Sequence, residues 1–139
     1  MSSVPFEDSG QLEQFVRGVQ HRAGLDSYNE AHQLARATVA TLAASLSAGQ
    51  AAQLAQWLPD KLRGELAASS GQAGRFDKTT FVDTVGGEIH TIDADRVEAQ
   101  AAAVLQVLRA AAPREQIDDT LAQLPTELAA MFDSSPGGR

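Results

Sequence analysis

Apolar residues recur along this chain at helical spacing, and the pattern appears twice. Leu12, Phe15, Val16 and Val19 form an i, i+3, i+4, i+7 stripe, and Phe81, Val82, Val85 and Ile89 form a second. A longer stripe follows each. Ala31, Leu34, Ala35, Thr38, Val39, Leu42 and Leu46 line the first; Val97, Ala101, Val104, Leu105 and Leu108 line its mate. The many alanines favour helix and let neighbouring helices approach closely. Nothing alternates with period two over a useful length, so the pattern predicts an all-α chain without a sheet.

A shift of 66 residues lays Phe15–Leu66 over Phe81–Phe132 without a gap. Phe15, Val16 and Val19 meet Phe81, Val82 and Val85. Ala35, Ala37 and Leu42 meet Ala101, Ala103 and Leu108; Gln50 meets Gln116; Leu58, Pro59 and Leu62 meet Leu124, Pro125 and Leu128. An internal duplication accounts for this register. A unit of roughly 60 residues buries only about 60% of its unfolded surface, against about 70% near 150 residues. Each half is alanine-rich and poor in aromatics, so the halves are expected to share one core, arranged with pseudo-two-fold symmetry like a fused homodimer.

Boundary residues refine this picture. Ser27 with Glu30 and Ser47 with Gln50 fit the capping box; Asp93 caps the long helix of the second half, and Pro113 suits a first helical position. Pro59 and Pro125 each interrupt a helix and predict short fourth helices over Pro59–Ala68 and Pro125–Phe132. The expectation is a single compact domain of about eight helices over residues 10–133. Repeat one covers 10–66, a linker 67–75 and repeat two 76–133, with flexible tails at 1–9 and 134–139. Gly86–Gly87 is the one misfit inside a predicted helix, explained by a close helix crossing or a break, or else by a ligand approaching bare backbone.

The net charge is −7, with seven acidic and five basic residues in 1–70 and eleven acidic and six basic in 71–139. No concentrated basic face stands out, which argues against nucleic-acid binding. There is no cysteine, so disulfides and thiol chemistry are excluded. The opening MSSVPFEDSG has neither the basic nor the apolar region of a secretory signal, and no apolar run approaches the roughly 20 residues that span a bilayer. A cytoplasmic protein without membrane contact is expected.

Leu54–Leu66 (LAQWLPDKLRGEL), Leu121–Phe132 (LAQLPTELAAMF) and Leu46–Gln50 (LSAGQ) together resemble the uncharacterised bacterial family of domain-of-unknown-function 2267. Its recurring features are an Ala-Gln-Leu-Pro turn, a following Leu-Arg-Gly and a downstream second copy. Here Ala122–Pro125 gives that turn as written and Leu62-Arg63-Gly64 matches. The first turn departs from it by Trp57, placed between Gln56 and Leu58. Glu65-Leu66-Ala67-Ala68 stands where an aromatic-rich stretch often follows in the family. The resemblance, over roughly Leu12 to Phe132, implies an all-helical bacterial protein with a duplicated unit and assigns no activity.

Candidate chemistry is sparse. His21, His32 and His90 have no histidine counterparts in the opposite half, and their spacing suits surface residues better than a metal site. No Gly-x-Ser-x-Gly turn supports a serine nucleophile, and Asp93, Asp95, Asp118 and Asp119 fall at helix starts, where the dipole accounts for them. Lys61 and Arg63 form at most a small basic spot. Trp57 is the most informative residue, because its counterpart is Gln123 and the scaffold does not require an aromatic there. The usual burial of tryptophan favours a core position; exposed, it would be a binding hot spot.

The expected role is therefore non-catalytic, without cofactor or metal: binding a protein partner or a second copy through Trp57, Lys61, Arg63 and Leu66. The alternative is a small-molecule module with an apolar ligand between the repeats. A third reading is an enzyme using His21 or His90 with nearby carboxylates.

Overall fold

The computed structural model describes residues 4–59, 61–64, 77–91 and 93–133. They are helical throughout, with no strand among them. The helices are α1 (Val4–Ala23), α2 (Tyr28–Ala44), α3 (Ala48–Ala55), α4 (residues 61–64), α5 (Lys78–Ile89), α6 (Ala94–Ala111), α7 (Arg114–Ala122) and α8 (Thr126–Ala130). α1 begins at Val4, inside the stretch read from sequence as a tail. Pro5 falls in its first turn, where a missing backbone donor costs nothing. The linker at 67–75 and the tail at 134–139 lie outside the described residues.

The two long stripes make the centre. α2 packs on α6, while α1 packs on both α2 and α6 and α5 does the same. α3 packs on α7, and α5 also touches α8. Most of the apolar residues that coincide under the 66-residue shift are buried in both halves, among them Phe15 with Phe81, Val19 with Val85, Leu42 with Leu108 and Leu62 with Leu128. One core therefore draws on both halves of the chain.

Local chemistry sets the helix ends. Ser27 accepts from Glu30 N at 3.2 Å, Ser47 from Gln50 N at 3.2 Å and Asp93 from Arg96 N at 3.2 Å. Asp77, which the sequence reading passed over, accepts from Thr80 N at 2.8 Å and starts α5. Pro113 and Pro125 sit one residue before their helices, as N-caps with extended ψ, and not at the first helical position. α8 closes at Ala130, short of the predicted Phe132, and residues 131–133 continue as turn.

α5 runs unbroken through both glycines. A Cβ on Gly86 would stand 2.9 Å from the Thr91 carbonyl oxygen, so the chain returning from the end of α5 requires glycine there. Gly87 faces open space.

The α3–α7 contact carries a polar seam. Gln50 Nε2 donates to Thr120 Oγ1 at 2.9 Å, and its 66-residue counterpart Gln116 donates to Gln53 Oε1 at 3.0 Å. Gln50 thus spends its amide across the interface and does not reach back to Ser47. Gln123 completes that cap instead: its Oε1 accepts from Ser47 N at 3.0 Å and its Nε2 donates to Ser47 Oγ at 3.3 Å.

Candidate functional site

Trp57 stands on the turn between α3 and α4. That turn is built from successive i→i+3 bonds: Gln56 N to Gln53 O, Trp57 N to Leu54 O and Leu58 N to Ala55 O, at 3.0–3.3 Å. Leu58 and Leu62 anchor it from beneath, 2% and 0% exposed. Arg63 ties it from outside, Nε donating to Ala55 O and Nη2 to Leu58 O, each at 3.1 Å. The carbonyls left over at the end of α3 are thereby satisfied. The turn presents its aromatic from a fixed frame.

The indole is 42% exposed, which corrects the core placement favoured by the usual burial of tryptophan. Its counterpart shows why an aromatic is tolerated at this position. Gln123 is committed to capping Ser47, but the residue matching Ser47 in the second half is Pro113, which has no backbone N–H to cap. Position 57 carries no capping duty, so an aromatic can stand there without costing a helix its cap.

Trp57 forms one side of an open groove of about 460 Å³. Gln11, Gln14 and Phe15 of α1 and Val107, Ala110 and Ala111 of α6 supply the other walls, with Gln56, Leu58, Pro59 and Arg63 completing the turn side. Among the described residues of this lining Arg63 is the only ionic one, and none is a carboxylate, although the chain carries 18 acidic residues. Three glutamines around an apolar floor offer donors and acceptors without charge.

Of the four residues picked from sequence, Trp57 and Arg63 line this groove together. Lys61 is exposed on α4 and is not part of the lining. Leu66 lies outside the described residues. The α1 and α6 walls had no marker in the sequence, because Gln11, Gln14, Ala110 and Ala111 look like ordinary solvated helix positions.

The model of the family described as "Uncharacterized conserved protein (DUF2267)" matches residues 12–131. The chain belongs to that family. No curated protein matches the sequence. In this DUF2267 member the match takes in all of the groove's described lining except Gln11.

The histidines are scattered over this DUF2267 fold. His21 is exposed in the last turn of α1, and the His32 ring lies 6.2 Å from that of Tyr28. His90 closes α5 in a left-handed conformation, φ 60°, its backbone N–H donating to Gly86 O. Among the described residues, no three His, Asp or Glu side chains converge as metal ligands, and no helix is long and apolar enough to cross a membrane.

Proposed function

We propose that this DUF2267 protein is a non-catalytic binding module of the cytoplasm. Its Trp57 groove receives a segment of another protein with an apolar anchor and acidic flanks. The observation that carries this reading is a tryptophan 42% exposed on a rigid turn, beside an apolar trough whose described lining holds one arginine and no carboxylate, on an acidic chain. Tryptophan is enriched in binding hot spots because it contributes a large apolar area together with one polar handle. The partner's apolar side chain seats between Trp57 and the Phe15–Val107 floor, and the three glutamines bond its backbone. Lys61, exposed beside the groove, favours an acidic flank; a second copy of a chain of net charge −7 is disfavoured by repulsion.

Arg63 helps to hold the turn, so its removal tests folding and recognition together. The cleaner test is selection of peptides from a random library on wild-type protein, with counter-selection on Trp57→Ala. The reading predicts enriched peptides with a large apolar residue flanked by Asp or Glu, which lose affinity for a Trp57→Ala variant that melts as wild type does. Peptides that bind both proteins equally, or no enrichment at all, would overturn it.

A further inference from the structure

A second cleft, of about 370 Å³, opens where the start of α2, the end of α5 and the start of α6 meet. Six of its lining residues pair under the 66-residue shift: Leu25 with Thr91, Glu30 with Arg96 and Leu34 with Gln100. In each pair the two halves carry different chemistry. The first half offers two isobutyl groups and a carboxylate; the second offers a hydroxyl, a guanidinium and an amide.

Gln100 is the decisive residue. It is only 8% exposed, it lines the cleft, and its side chain makes no hydrogen bond among the described residues. Its amide atoms are not enclosed, and they open to the cleft where a ligand's polar group would meet them. Its counterpart Leu34 is buried at 1% exposure, so an apolar residue is compatible with that place in the fold. Arg96 and Glu30 add charge of both signs: both line the cleft, and neither side chain has an ion-pair partner among the described residues. Asp93 also borders it, but its carboxylate is engaged at the start of α6. That leaves Glu30 as the anion available to a ligand.

We propose that this cleft binds a small zwitterion with an apolar body, of the free amino-acid class. Arg96 takes the carboxylate, Gln100 hydrogen-bonds the same group from the buried side, and Glu30 takes the ammonium. Leu25, Leu34 and Ile89 receive the apolar body. The volume lies at the lower end of the usual range for small-molecule sites, about 300–1,000 Å³. Such a guest differs from the apolar ligand between the repeats in carrying both charges.

Isothermal titration calorimetry on the full chain tests this, with each standard amino acid as probe at millimolar concentration. Leucinamide, which lacks the carboxylate, and N-acetyl-leucine, which lacks the ammonium, are the companions to leucine. An apolar amino acid should bind saturably, and each blocked form of leucine should bind about tenfold more weakly than leucine, as expected for the loss of a charge-assisted hydrogen bond. Gln100→Leu and Arg96→Gln should weaken the same probe by a similar factor while keeping the wild-type helical signal. No binding by any amino acid, or equal binding by the blocked forms, would overturn the assignment without recourse to a variant.

Discussion

Gly24 and His90 are the only described residues with left-handed backbone, at φ 68° and 60°, and they stand 66 positions apart. The chain turns the same way after each: Leu25 N donates to Gln20 O and Thr91 N to Gly86 O, both at 2.9 Å. One half meets this demand with glycine, and the other places a histidine where a side chain is strained. His90→Gly should therefore stabilise the fold by about 0.5–1 kcal/mol, and Gly24→Ala should cost about 1–2 kcal/mol although open space surrounds it. Urea unfolding of the two variants checks both signs.

The paired glycines of α5 should respond oppositely to alanine. Gly87→Ala meets nothing and gains helix propensity, worth up to about 1 kcal/mol. Gly86→Ala drives a methyl against the Thr91 carbonyl and should cost about 1–3 kcal/mol. Equal effects in thermal melts would refute the close return of the chain onto α5.

Thr38 is fully buried and its hydroxyl has no hydrogen-bond partner among the described residues. Its counterpart Val104 is equally buried, so the isosteric Thr38→Val should raise stability by about 1 kcal/mol. A destabilised variant would mean that the hydroxyl has a partner.

The start of α5 should show two opposite pH dependences. The backbone N–H of Thr80, bonded to Asp77, holds that carboxyl below its ordinary 3.8. Its contribution is complete above 3.8 and disappears as pH falls through the lower folded value. The hydrogen bond to Glu98, at 2.7 Å, raises Lys78 above its ordinary 10.5. That contribution is complete below 10.5 and disappears as pH rises through the higher folded value. The stability gap between wild type and Asp77→Ala should close in acid, and the gap to Lys78→Met should close in strong alkali. Asp77 is exposed and the Lys78 side chain is 35% exposed, so the gaps should be small.

Apolar spacing made the helices legible, since every residue of the α2 stripe from Ala31 to Leu46 and of the α6 stripe from Val97 to Leu108 is buried as its periodicity requires. Caps at Ser27, Ser47 and Asp93 were legible because a side-chain oxygen three residues before a free N–H is a local matter. The Trp57 groove was half legible. Its turn is written in consecutive residues, whereas its other walls come from α1 and α6 and depend on how distant helices pack. That position 57 tolerates an aromatic rests on a long-range fact, the capping of Ser47 by Gln123 and the absence of an N–H at Pro113, which no window of sequence contains. The second cleft escaped notice because Gln100 reads as an ordinary polar helix position until its burial is known.

Trp57 is the only tryptophan, so its indole N–H gives one NMR resonance that reports on the groove alone. The most direct measurement follows that resonance while a library-selected peptide is added. The docking account predicts a saturable shift or broadening of the indole signal, with Gln14 and Val107 responding alongside it. A bound peptide that leaves the indole resonance unmoved would contradict the account.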